Sequence, residues 1–440
     1  MRRRAAFSVL WLMMGISLLL AGCGLSTAKG TQVDHSGAGA DGNRQGQPAI
    51  VEIDFVREST DYFVLAEWMS EERLAVGIQE ADSEIIKVFA YDLSSNKRWL
   101  LFEGKTSRDD LRVKRLNEKR AALFTAEKIL LLNTEDPSIH QEIPLPKGVT
   151  QPDISYREDK VCYIGKEGLY VSDAKFQQPR LLLERKEWVE DERGQWRRVP
   201  NRGPGMRLEA PVFPRWSYDD QKILYRRAEY EGYGGVGVIK PDGSGAQYFE
   251  VNDLSYAYWL KDSVGILCGR HVVGEPAAYL VDTAKHQIKT IDDKGDKREP
   301  RLGKNDEQII YSGVLQPGEP GNYLPQLVLM DLKTGATKPF SPVFHSIDSF
   351  ALSPSGDKVI VVENTSLPQG GVKQKLWCVA AEGPQALEGI KPMEAGKKVT
   401  QRDVDQGKRL NERHFQASHD GNATAANASK KGPKTPGTIF

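Results

Sequence analysis

An all-β architecture, a seven-bladed β-propeller, follows from three features of this 440-residue chain. The first is a recurring unit. Ser217-Tyr218-Asp219-Asp220-Gln221-Lys222-Ile223-Leu224-Tyr225 closely matches Ser353-Pro354-Ser355-Gly356-Asp357-Lys358-Val359-Ile360-Val361, with shorter copies at Ser70–Val76 and Lys261–Leu267. Each copy is a polar turn leading into an alternating apolar run, a hairpin signal. The second feature is the period. Seven units, at 61–104, 110–146, 151–184, 210–251, 254–292, 298–341 and 346–389, spread over roughly 55–392 leave about 48 residues per unit, the span of a four-stranded blade. The third is composition: 41 Gly and 24 Pro supply turns and exclude a long helical bundle. One four-stranded sheet leaves both faces bare, and packing such sheets radially covers both. Six or eight blades, or two stacked β-domains, are the alternatives.

The amino terminus comes first in the chain and has its own logic. Met1-Arg2-Arg3-Arg4 is basic, Ala5 to Leu20 is apolar and uncharged, and Leu20-Ala21-Gly22-Cys23 follows at once. This is the pattern of a secretory signal, and the apolar run is short of what a spanning helix needs. An uncleaved membrane anchor is the alternative. The order and position of these residues resemble the bacterial lipoprotein box. That resemblance implies cleavage before Cys23, lipidation of the Cys23 sulfur and amino group (palmitate among the acyl chains), and a protein anchored at the extracytoplasmic face of a cell-envelope membrane. From Gly24 to Pro48 the chain is polar and Gly-rich, unable to bury enough surface to offset its ordering entropy. The expected organisation is a signal peptide over 1–22, a lipidated cysteine and flexible linker over 23–54, a propeller over 55–392 and a low-complexity tail over 393–440.

Within the propeller, the strand ahead of the polar turn carries Trp68, Trp216 and Trp259 in three units. Downstream strands end in Asp-led turns such as Tyr91-Asp92-Leu93-Ser94, Pro241-Asp242-Gly243-Ser244 and Met330-Asp331-Leu332-Lys333. The second and third units are degenerate copies. The stretch Pro214–Tyr225, followed by Val238-Ile239-Lys240-Pro241-Asp242-Gly243, is similar to the WD40-like repeat of TolB-type propellers. The usual Ser-Pro-Asp-Gly turn of that family reads Ser-Tyr-Asp-Asp at 217–220 and Ser-Pro-Ser-Gly at 353–356. The resemblance covers the propeller module only, because no segment between Gly24 and Asp61 is long enough for the α/β domain that precedes the propeller in TolB. Prolyl-oligopeptidase-like hydrolases share the repeat, but the chain has no G-x-S-x-G elbow.

Function is read from the connections. In such blades the turns inside the first and last hairpins share one face, and the middle connections and blade crossings share the other. The second class is long here: Glu184–Glu209, Arg227–Gly235, Gly269–Pro276, Gly313–Pro325 and Asn364–Gln374. Loops on a rigid scaffold carry binding, aromatics give rigid contact area and arginine gives forked donors. The expected binding residues are Trp188, Trp196, Arg198, Tyr230, Tyr233, Arg270, His271 and Tyr323. The leading function is a membrane-anchored binding or scaffold lipoprotein that docks a protein, peptide or envelope polymer. The alternative is a propeller hydrolase or lyase with its active site at the channel mouth. No catalytic residue, metal or cofactor is assigned, since the seven His are scattered and no metal-ligand spacing occurs. With 60 basic and 60 acidic residues, nucleic acid is not an expected partner, and a monomer is expected. Cys162, Cys268 and Cys378 fall in strands of non-adjacent units and read as buried thiols.

Overall fold

The computed structural model describes residues 49–53, 55, 61–80, 83–190, 196–199, 207–229, 232–251, 254–270, 277–292, 298–303, 306–313, 324–366, 372–380, 387 and 390. The segment read as a signal peptide, Cys23, most of the stretch read as linker and the tail lie outside them. The strands form seven antiparallel sheets, six of four strands and one of six, in the blade order expected. The innermost strands of blades 1 to 7 are Asp61–Trp68, Arg112–Arg115, Thr150–Ile154, Arg207–Trp216, Leu254–Trp259, Arg298–Leu302 and Ile347–Leu352. Apolar side chains fill the spaces between blades. Leu224, Val236 and Phe249 of blade 4, for example, pack on Trp259, Ile266 and Cys268 of blade 5.

Ring closure departs from the sequence expectation. The first unit was expected at 61 and the seventh to run to 389. Instead, the outer strand of blade 7 is Ala49–Glu52, paired antiparallel with Val372–Ala380 in the register Ala49↔Ala380 to Glu52↔Trp377. Residues from the stretch read as linker thus complete the last blade. Ile50 and Val51 pack against the cores on either side. Joining the start of the chain to its end removes a bare edge, which open sheets have to manage by other means.

The three tryptophans acquire a common role. Trp68 Nε1 donates to the Ala351 carbonyl at 3.0 Å, Trp216 Nε1 to that of Asp153 at 3.0 Å, and Trp259 Nε1 to that of Arg215 at 3.1 Å. Each indole reaches back to the innermost strand of the preceding blade and fixes the two strands in register. Buried Trp requires such a partner for its N–H.

The polar turns are inter-blade clasps. The Ser217 hydroxyl accepts the Lys222 N–H at 2.9 Å and the Ser353 hydroxyl that of Lys358 at 3.1 Å. Blade 3 does the same, with Ser155 accepting Lys160 N–H at 3.0 Å, so its degenerate sequence hides an intact turn. The fourth turn residue is left-handed, with φ of 61° at Glu158, 58° at Asp220, 58° at Ser263 and 74° at Gly356. Glycine takes that conformation freely, and other residues are strained in it. The strained side chains reach the previous blade. Asp220 accepts the Tyr156 and Arg157 amides at 2.7 and 2.9 Å, Ser263 accepts the Asp219 amide at 3.1 Å, and Glu158 takes Arg120 in a fork at 3.0 and 2.6 Å.

The Glu184–Glu209 crossing, expected as an irregular loop, is largely strand. Lys186–Glu190 pairs with Trp196–Val199 and with the first residues of Arg207–Trp216, which makes blade 4 six-stranded. The Arg227–Gly235 stretch is likewise the end of an extended hairpin, from Ile223–Glu229 to Gly232–Ile239.

Candidate functional site

The innermost strands place one residue per blade at an equivalent register. Glu67 faces Ala75 across its hairpin, Lys114 faces Ala122, Asp153 faces Cys162, Arg215 faces Leu224, Tyr258 faces Leu267, Arg301 faces Ile310 and Ala351 faces Ile360. These seven form a ring around the axis. Each stands two residues before its first hairpin turn, so the ring lies toward the short-turn face of the propeller.

Three members share a local device. Gln151-Pro152-Asp153-Ile154, Phe213-Pro214-Arg215-Trp216 and Glu299-Pro300-Arg301-Leu302 each place a proline before the charged residue. The ladder slips at this point in all three strands. Proline has no N–H to leave unpaired, so a bulge tolerates it. The residue ahead of each proline is left-handed, with φ of 52° at Gln151, 52° at Phe213 and 49° at Glu299. Such strain in non-glycine residues persists only where the surroundings enforce it, and it gathers at functional positions. Here the bulges re-aim Asp153, Arg215 and Arg301.

The ring is charged. Asp153 is fully buried; its Oδ2 accepts from Lys114 Nζ at 2.9 Å and from the Trp216 amide at 2.8 Å, and its Oδ1 is ion-paired with Arg112 Nη1 at 3.0 Å. Burial works against its ionised form, but Lys114, Arg112 and Arg215 together hold the carboxyl below the usual range. One carboxylate is thus shared among three cations. Burial and the neighbouring Arg112 lower the pKa of Lys114 despite Asp153. Burial, with the like charge of Arg112, pulls Arg215 down to about 9. Across the ring the Arg301 guanidinium donates to the Tyr258 hydroxyl and lies 5.0 Å from that ring's centroid. Burial opposes its charge, and Tyr258, Glu67 and Glu299 outweigh burial, so its pKa rises. Glu67 is pushed up to about 7, by burial first and then by Glu299, against the pull of Arg301 and Arg112. Arg112 and Glu299 on the innermost strands and Arg226 on the second strand of blade 4 stand further from the turns, and with them the ring's charged groups amount to five cations and three carboxylates. The lining is open in part, with 24% of the Arg112 side chain and 27% of Arg301 exposed. An incoming anion would meet guanidinium forks inside a low-dielectric wall, where such contacts are strongest.

Beside the ring, a recess of about 560 Å³ opens on the short-turn face between blades 7, 1 and 2. Glu71, one of its walls, is already engaged by Ser355 and Lys358. Among the described residues no group of three or more His, Cys, Asp or Glu is placed to hold a metal ion.

The sequence-predicted binding residues fall elsewhere. Trp188, Trp196, Arg198 and Tyr233 lie in strands of the six-stranded blade 4 sheet, and Arg270 ends the second strand of blade 5. Tyr230, His271 and Tyr323 lie outside the described residues. The positions described in strands belong to the end of the propeller opposite the ring. Sequence reasoning missed the ring itself, although the thrice-repeated Pro followed by a charged and then an apolar residue marked it. Cys162, Cys268 and Cys378 are buried free thiols, as expected, and burial raises Cys268 and Cys378 to about 12.

Fold and site together define a seven-bladed β-propeller with a charged axial ring. No protein-family model matches the chain, and no curated protein does. Solved structures do match. The chain is similar to oligogalacturonate lyase from Vibrio parahaemolyticus, at 10% identity and a TM-score of 0.52 over 80% of this chain and 100% of that one. It is also similar to an oligogalacturonate lyase in complex with manganese, at 11% identity and a TM-score of 0.50 over 78% and 100%. TolB from Acinetobacter baumannii aligns at 13% identity and a TM-score of 0.37 over 68% of this chain and 76% of that one. At these identities the likeness is one of fold.

Proposed function

We propose that this protein is a lipoprotein held through Cys23 at the extracytoplasmic face of a membrane, and that its propeller docks an anionic group of a protein, peptide or envelope polymer in the axial channel. The observation that carries the reading is the shared carboxylate of Asp153: three cations compete for it, and Arg215 is left short of counter-charge. Groups held in this way by bulged, strained strands are preorganised for a ligand that supplies the missing negative charge. The reading is docking without turnover. It assigns the ring to recognition, with Arg215 and Arg301 as ligands for the anion, Lys114 and Arg112 as the field behind them, and Tyr258 as the group that orients Arg301.

The test uses a hexaglutamate peptide with blocked ends, a hexalysine peptide and a neutral dextran, each titrated into the full propeller. The reading predicts saturable binding of hexaglutamate alone, weakened at least tenfold by Arg215→Gln with Arg301→Gln. Equal binding of all three probes, or hexaglutamate binding that survives the double substitution, would refute it. For the anchor, Cys23→Ser should move the protein from the membrane fraction to the soluble fraction. Retention at the membrane would refute lipidation.

A further inference from the structure

We infer that anion capture in the channel is coupled to uptake of one proton at Glu67, so that the site closes its grip in acid and relaxes in base. This rests on the reading of the channel as an anion site and adds its regulation. Glu67 holds the blade 1 position of the ring, between Lys114 of blade 2 and Ala351 of blade 7. Ala351 has no reach of its own, so Glu67 feels Arg301 of blade 6 across the gap, with Glu299 and Arg112 next in influence. It therefore stands in the ring as a resident carboxylate, in the field an incoming carboxylate or phosphate would enter. Two anions cannot share that field at full charge.

Protonation is the least disruptive way to admit the second anion. A proton from solvent adds to the Glu67 carboxylate, no other bond changes, and the ring gains one unit of positive charge. The remaining charged groups on strands packed against Glu67 are occupied elsewhere. Arg73 pairs with Asp92, Lys358 with Glu71, Glu80 with Lys87, Asp348 with Arg108, and Glu363 with His345 and the Trp377 indole, while Arg115 Nε donates to the Asn117 carbonyl at 3.2 Å. Asp153 is held ionised by its three cations. Of the two carboxylates in the ring, Glu67 is the one that burial lifts, to about 7. The sign follows from linkage. An anion in the ring raises the proton affinity of Glu67, so binding strengthens as pH falls and weakens as pH rises through about 7.

The test is calorimetric titration of the blocked hexaglutamate peptide, which stays ionised above about pH 6, in buffers of different ionisation enthalpy. The inference predicts net proton uptake near neutral pH. It also predicts binding about tenfold tighter at pH 6 than at pH 8.5, corresponding to a one-unit rise in the Glu67 pKa on binding. Glu67→Gln should bind at pH 8.5 as the unmodified protein does at pH 6, with no proton uptake. Binding without proton uptake and with equal affinity at both pH values overturns the coupling and leaves the anion site standing. Absence of binding at either pH overturns both. The proton count is made on the unmodified protein, so it does not depend on how the variant folds.

Discussion

Replacing Glu67 by glutamine perturbs one atom and should stabilise the propeller at alkaline pH. A carboxyl whose folded pKa is raised from 4.5 to about 7 holds its proton more tightly in the folded than in the unfolded chain. Between those values the folded state carries the extra proton, so stability falls as pH rises through that window. Above it the ionised form costs the full difference. At about 1.4 kcal/mol per pKa unit that is about 3 kcal/mol, trimmed toward 2 by water entering the open channel. Glutamine keeps the shape and carries no charge. Urea denaturation at pH 8 and at pH 5 reads the effect. The variant should exceed the unmodified protein by about 2–3 kcal/mol at pH 8 and by less than about 1 kcal/mol at pH 5. A variant less stable at pH 8, or an advantage equal at both pH values, would refute the placement of Glu67 in a buried, uncompensated field.

Other predictions test the clasps, the closure and the location of the site. Asp220→Gly relieves a left-handed strain of about 1 kcal/mol but forfeits two amide–carboxylate hydrogen bonds to blade 3, so it should destabilise by about 1–3 kcal/mol in urea titrations. Deleting residues 49–52 uncovers the edge of Val372–Ala380, and limited proteolysis should then cut blade 7 first while blades 2 to 5 resist. Joint alanine replacement of Tyr233 and Arg270 alters strands at the opposite end of the propeller. It should leave hexaglutamate affinity within about twofold, as expected for residues outside the buried centre of an interface.

The fold was legible because each blade repeats its own local chemistry. The Ser217–Lys222 and Ser353–Lys358 turns announced themselves, and Trp68, Trp216 and Trp259 marked the strands that hold neighbouring blades in register. The turn at Ser155–Lys160 escaped notice because only its first and last residues are common to all three copies, and these are the two that make its defining hydrogen bonds. The closing strand escaped because Ala49–Glu52 is four residues long and its partner lies more than 300 positions away. The site was the least legible part. Its members arrive one per blade and differ in kind (Glu, Lys, Asp, Arg, Tyr, Arg, Ala), so no charge cluster appears in the linear sequence, and the proline-led repeat marks only three of the seven positions. Long connections, by contrast, are conspicuous in a sequence whatever they do. Several of them are simply hairpins carried further out, as Lys186–Glu190 and Trp196–Val199 show.

Diffraction from crystals soaked in selenate measures anion occupancy directly, because selenium marks the site by its anomalous signal. The charged ring should show a peak between Arg215 and Arg301, stronger at pH 6 than at pH 8.5 and absent in Arg215→Gln with Arg301→Gln. A ring without signal, in crystals whose surface arginines are occupied, would contradict the account.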